Sequence, residues 1–192
     1  VHGVPHSVRV IVFGRQGAGK GTQCARVAAH FGVPHVSTGE ILRDAIARDT
    51  ALGRAARVVL DGGGLVEDSL MISLVQGRLG EQDARTRGYV LDGFPRTLVQ
   101  AAAFDEMTAA RPAHCAVDLE VPREVVVARL LARRREDDTP EAINHRLDLY
   151  EAQTSPLIEH YRSRSSLRVV DGVGTQDEVF ERFRATVAAC LG

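Results

Sequence analysis

Short apolar runs and longer stretches with apolar residues every third or fourth position alternate along most of the chain. Val8-Arg9-Val10-Ile11-Val12-Phe13 is nearly continuous in apolarity and stops at Gly14, the pattern of a strand buried on both faces. Further strands are predicted at His35-Val36, Tyr89-Val90-Leu91, Ala116-Val117-Asp118-Leu119 and Leu167-Arg168-Val169-Val170, each followed by Gly, Pro or polar residues. The helical period predicts helices over Lys20 to Phe31, Glu40 to Arg48, Asp68 to Leu79, Leu98 to Met107, Arg123 to Arg133, Pro140 to Arg162 and Gln176 to Leu191. Strands separated by helices imply right-handed crossovers and an α/β fold of three layers, its five-stranded parallel sheet covered on both faces. Ligands of such sheets sit at the carboxyl ends of the strands.

Composition narrows the function classes. Lys and Arg total 24 against 25 Asp and Glu, a formal net charge of −1, so no global field holds nucleic acid or an anionic membrane. No apolar run reaches the roughly 18 residues that a membrane span needs. Cys24, Cys115 and Cys190 lie far apart without a CxxC pair, which argues against a disulfide framework or a zinc ribbon and predicts reduced thiols. The first residues lack the charged and apolar regions of a secretory leader, so the expected compartment is the cytoplasm. The seven histidines are scattered and read as core or surface filler, with no catalytic His or Cys constellation.

Gly14-Arg15-Gln16-Gly17-Ala18-Gly19-Lys20 follows the first strand and opens a helix, the spacing and context of a Walker A loop. The glycines let backbone N–H groups converge, the helix start adds partial positive charge, and Lys20 reaches the outer phosphates, so the loop predicts triphosphate binding. Gly21 stands between Lys20 and Thr22, which moves the hydroxyl that usually ligates magnesium by one position.

Gly19-Lys20-Gly21-Thr22-Gln23 resembles the start of the nucleoside monophosphate kinases, and three later motifs are similar to those of adenylate kinases of the short-lid form. These are Val36-Ser37-Thr38-Gly39-Glu40-Ile41-Leu42-Arg43, then Leu91-Asp92-Gly93-Phe94-Pro95-Arg96-Thr97 through Gln100, then Arg135-Glu136-Asp137-Asp138 with Arg146 and Pro156-Leu157-Ile158. The resemblance extends from Val8 to about Val179. It departs at Gln16 and Glu67, where proline is common.

The resemblance implies one P-loop domain over residues 1–192, with core segments 8–36, 67–132 and 140–192. It also implies an AMP-binding excursion over 37–66 and a short lid over 133–139. The implied activity is ATP + AMP = 2 ADP with Mg2+, in a monomer whose partners are ATP, AMP and ADP. Gly17, Ala18, Gly19, Lys20, Gly21, Thr22, Arg129, Arg133 and Gly174 would take ATP, with Arg129 stacked on the adenine beside the turn Asp171-Gly172-Val173-Gly174. Thr38, Gly39, Arg43, Gly64, Leu65, Val66, Gly93, Phe94, Arg96, Gln100, Arg135 and Arg146 would take AMP, with Thr38 and Gln100 at the base. Lys20, Arg96, Arg133, Arg135 and Arg146 would carry catalysis, the last two closing over the phosphates. Asp92 would hold Mg2+ through water.

Physical chemistry agrees with that assignment of labour. Phosphoryl transfer asks a protein for positioning and charge neutralisation, and planar guanidinium groups grip two phosphate oxygens at once. The AMP phosphate is already an anionic nucleophile, so no side-chain base is required. No Cys or His lies between Arg133 and Pro140, so the lid is expected to be short and without zinc. Three alternatives stay open: a kinase for UMP or CMP, which Thr38 and Gln100 disfavour; a nucleotide-binding regulatory protein without transfer; and a P-loop hydrolase using water.

Overall fold

The computed structural model describes residues 7–61, 66–133 and 139–192, without the side chains of 59–61 and 133. In chain order the elements are β1 (Val8–Phe13), α1 (Lys20–Phe31), β2 (His35–Ser37), α2 (Thr38–Ala47), α3 (Ala51–Asp61), α4 (Asp68–Leu79) and α5 (Gln82–Arg87). They continue with β3 (Gly88–Asp92), α6 (Leu98–Met107), β4 (Cys115–Glu120), α7 (Arg123–Arg133), α8 (Pro140–Ser163), β5 (Leu167–Asp171) and α9 (Gln176–Cys190). The five strands form one parallel sheet in the order β2-β3-β1-β4-β5. The loop after β1 therefore opens at the carboxyl edge between β3 and β4.

Alternation along β1 divides the interior in two. Val8, Val10 and Val12 face a core that α1, α7, α9 and the first half of α8 complete through Cys24, Val27, Leu130, Ile143, Leu147 and Phe183. Ile11 and Phe13 face the other core, built from α2, α3, α4, α6 and the second half of α8 through Leu42, Ala56, Met71, Phe104 and Leu157. Phe94, Phe104 and Phe183 are fully buried, and each such side chain contributes about 1.5–3 kcal/mol by leaving water.

Helix starts follow the chemistry of their first residues. Ser37, Thr97, Thr139 and Thr175 each accept a backbone N–H of the first turn through the side-chain oxygen, at α2, α6, α8 and α9. At α9 the bond is reciprocated by Glu178, giving a full capping box. The spacing Ser37 to Glu40 predicts the same box at α2, where the structure has the Ser37 half. Two helices lie outside the periodic reading: α3, within a stretch expected only to be largely helical, and α5, which is too short and polar to show a period. No described helix is long and apolar enough to cross a membrane.

Candidate active site at the carboxyl edge of the sheet

Register sets the geometry of the site. Val12 pairs with Asp92 and Asp92 with Ser37, so the ends of β1, β3 and β2 reach the same line. Beyond that line lie the glycine-rich loop, the Asp92–Arg96 turn and the start of α2.

The loop side is held by backbone groups. Ala18 N donates to Arg15 O at 3.1 Å, and Lys20 Nζ donates to Gly14 O at 2.6 Å and Arg15 O at 3.2 Å. Gly17 has φ +86, and a Cβ there would lie 2.8 Å from Leu130 Cγ, so α7 rests directly on the loop. Arg129, one residue before, donates to Ala18 O at 3.3 Å and to Gly172 O at 3.2 Å, tying the loop to the turn after β5. That turn continues through Gly174 and is braced by Arg182, which pairs with Asp171 at 2.7 Å. Gly19, Gly21 and Thr22 are exposed at the start of α1.

The opposite side is held by side chains. Thr38 is buried and its hydroxyl donates to Gly93 O at 3.0 Å. Gly93 has φ +85, and a Cβ there would lie 2.7 Å from Thr38 Oγ1 and 3.2 Å from Arg96 Nη2, so no larger residue fits the turn as built. Phe94, on a cis bond to Pro95, is buried beneath it. Arg96 then leaves the turn with Nε donating to Gly93 O at 2.8 Å and its backbone N donating to Gln100 Oε1 at 2.8 Å. Gln100 Nε2 donates to Asp68 Oδ1 at 2.7 Å, and Thr97 Oγ1 donates to Asp68 Oδ2 at 3.0 Å. Asp68, the first residue of α4, is thus the anchor of the Arg96 turn, and sequence reading treated it only as a helix start.

Gln100 and Thr38, expected at the nucleotide base, also make contacts within the protein: Gln100 Oε1 accepts from Arg96 N and Thr38 Oγ1 donates to Gly93 O. Arg43 folds over Gly39, whose Cβ would lie 3.1 Å from Arg43 Nη1. Its guanidinium makes no hydrogen bond or ion pair among the described residues. Val66 is buried against the second core, and Arg146 is half-buried on α8. Gly64, Leu65, Arg135 and the side chain of Arg133 lie outside the described residues.

Charge converges between the two sides. Lys20 and Arg96 keep accessible surface while protein crowds around each, as in a concave wall. Burial pulls both below their ordinary pKa, with Asp92 opposing the shift in each case. Asp92 is itself buried, which pushes its carboxyl up. The approach of His35 and the charges of Lys20 and Arg96 outweigh that and hold it below the usual carboxylate range. His35 Nε2 lies 3.5 Å from Asp92 Oδ2, yet it has no hydrogen-bond partner in good geometry among the described residues. The two groups are therefore close without forming a directed hydrogen bond.

The sequence reads each histidine as core or surface filler, yet in the structure His35, Cys24 and Asp92 meet in space. Their sequence separation hides this, because it takes the β2–β3 register and the packing of α1 over β3 to bring them together. Magnesium prefers oxygen donors and keeps its waters. The ionised Asp92 carboxylate, 11% exposed and 4.0 Å from where a Cβ on Gly21 would lie, fits a water-mediated contact.

A separate cavity of about 270 Å³ lies under α6 and α8, lined by Ile11, Phe104, Asp105, Tyr161 and Arg164 among others. None of its lining residues belongs to the phosphate loop or to the Asp92–Arg96 turn.

A family model described as adenylate kinase matches residues 12–166. Adenylate kinase 1 of Nostoc sp. is 44% identical over 183 residues, which is 94% of this chain and 99% of the relative. An adenylate kinase of Mycobacterium sp. (strain MCS) is 44% identical over 177 residues, covering 91% and 96%, and one of Stenotrophomonas maltophilia is 40% identical over 188 residues, covering 95% and 100%. With the loop, the Asp92–Arg96 turn and the α2 start assembled at one edge of a parallel sheet, the chain belongs to the adenylate kinase family.

Proposed function

We propose that this chain catalyses reversible phosphoryl transfer between ATP and AMP, yielding two ADP. The observation that carries the reading is the convergence of Lys20, Asp92 and Arg96 at one line of the sheet edge, with a phosphate loop on one side and the Thr38–Gly93–Arg96 turn on the other. ATP takes the loop side, along Gly17, Ala18, Gly19, Lys20, Gly21 and Thr22, with its adenine near Arg129 and Gly174. AMP takes the side of Thr38, Gly39, Arg43, Val66, Gly93, Phe94, Arg96 and Gln100, with Thr38 and Gln100 toward the base. Its phosphate lies where Arg43 and Arg96 reach it.

In this reading Lys20 and Arg96 face the transferring group from opposite sides and stabilise the charge that spreads over its oxygens. Arg133, Arg135 and Arg146 close over the phosphates when 133–139 acts as a short lid and 37–66 as the AMP excursion, and closure keeps water from accepting the phosphoryl group. Bound with ATP, Mg2+ supplies charge neutralisation at the phosphates, and Asp92 is the residue that would hold its water shell. The chain works as a cytoplasmic monomer, with neither nucleic acid nor membrane as partner.

The test is a coupled assay with ATP and Mg2+ against AMP, UMP, CMP and GMP. AMP is expected to be the preferred acceptor by kcat/KM. Equal use of UMP or CMP would broaden the assignment to monophosphate kinase, and ATP consumption without an acceptor would replace it by hydrolysis.

A further inference from the structure

Cys24 on α1, His35 on β2 and Asp92 at the end of β3 each offer one ligand atom, and these atoms lie within 4.8 Å of one another. We infer that they form a binding site for a thiophilic divalent cation of the zinc class, distinct in chemistry from the magnesium that accompanies ATP. A thiolate, an imidazole and a carboxylate are a donor set that zinc takes, with a fourth position left for water. Bond lengths of that set place tetrahedral ligand atoms about 3.5 Å apart, so the three groups need to close in by side-chain adjustments of about 1 Å.

Two features prepare the site. His35 Nε2 is a buried nitrogen without a hydrogen-bond partner among the described residues, and it already faces Asp92 Oδ2 at 3.5 Å. A buried polar atom left unpaired is costly, and a metal bond satisfies it. Cys24 is fully buried, whereas His35 and Asp92 keep 13% and 11% of their side-chain surface open, so a cation enters from the cleft past the imidazole and carboxylate and meets sulfur last. Binding is Zn2+ plus the Cys24 thiol giving a Zn–S bond and a proton released to solvent. The thiolate and carboxylate then balance the charge of the ion, while Lys20 nearby limits its affinity.

Asp92 is shared between this site and the proposed Mg2+ contact. Zinc bound here withdraws that carboxylate from the phosphate loop, and phosphoryl transfer falls. Metal uptake itself needs no nucleotide and does not rest on the proposed reaction.

The test uses the reduced, chelator-stripped full chain titrated with Co2+ as a spectroscopic probe and then with Zn2+. One equivalent of Co2+ is expected, with a thiolate-to-metal charge-transfer band that Zn2+ erases. Cys24→Ala and Cys24→Ser should each abolish the band, and His35→Gln should weaken Zn2+ binding by about tenfold or more. Cys115→Ala with Cys190→Ala should leave both unchanged. In an ATP and AMP assay at buffered free zinc, Cys24→Ala should keep turnover at a concentration that halves the wild type. A band that survives in both Cys24 variants, a band that disappears with Cys115 and Cys190, or no stoichiometric uptake would each overturn the site.

Discussion

The loop side and the Arg96 side of the cleft are built on opposite faces of one sheet and by opposite means. The loop side rests on the core of α1, α7, α8 and α9. Its cations are bonded to main-chain carbonyls: Lys20 to Gly14 and Arg15, Arg129 to Ala18 and Gly172. The Arg96 side rests on the core of α2, α3, α4 and α6 and is organised by side chains: Asp68 accepts from Gln100 and Thr97, and Gln100 in turn accepts from the Arg96 backbone N–H. A site made of main-chain groups is insensitive to most substitutions other than those of its glycines and its lysine. A site made of a side-chain relay can be loosened from a residue that never meets the ligand.

The largest expected effect tests the shared part of the two sides. Lys20→Ala and Arg96→Ala should each lower kcat/KM by about 10³-fold or more, because each removes charge stabilisation from the transferring group. Equal thermal stability of the variants and wild type would locate the loss in transfer. A turnover unchanged in either variant would remove that residue from the chemistry.

An intermediate effect separates the sides. Asp68→Ala removes both accepted hydrogen bonds, and losing bonds of this kind is worth about 1–3 kcal/mol, or roughly tenfold or more. That loss should appear in KM for AMP, while KM for ATP stays at the wild-type value. A parallel rise in both would show that the relay serves the cleft as a whole and would dissolve the contrast.

The smallest effect is a reference remote from both sides. Arg78 holds the Asp83 carboxyl below its ordinary range through a two-pronged contact at 2.9 Å. A depressed carboxylate pKa contributes stability above its unfolded value, and the contribution is lost as pH falls through the folded value. Because Asp83 keeps 33% of its side-chain surface, solvent screening reduces the pair to about 0.2–1 kcal/mol. Asp83→Asn should lower the Tm slightly at pH 7, lose that difference at pH below the carboxylate range, and leave activity unchanged at every pH.

The central strands were legible in the sequence because β1 and β3 are buried on both faces, which makes them nearly continuous apolar runs that stop before Gly14 and Gly93, whereas the edge strand β5 is largely exposed. The helices from α6 onward were readable to about a residue, since Thr97, Thr139 and Thr175 cap them with side-chain oxygens. The phosphate loop was legible because its parts are contiguous. Asp68 and His35 were not, because their roles depend on partners 32 and 57 positions away, brought close only by α4 packing against α6 and by the pairing of β2 with β3. Gln100 illustrates the limit from the other direction: its position in a motif marks it as functional, while its support of the Arg96 backbone, four residues earlier, shows only in the folded turn.

The ammonium of Lys20 is already coordinated by two oxygens of its own loop. Those carbonyls act as an internal mimic of the ligand, so a phosphate that takes over Lys20 exchanges one oxygen for another instead of stripping a hydrated ion. Calorimetry on such a loop reads a difference between two similar coordination shells. The heat of binding then understates the contact, and the preference for a phosphate comes from its full negative charge against the partial charge of a peptide oxygen. Arg129, on the carbonyls of Ala18 and Gly172, obeys the same exchange rule. The loop therefore keeps its cations aligned by solvating them itself.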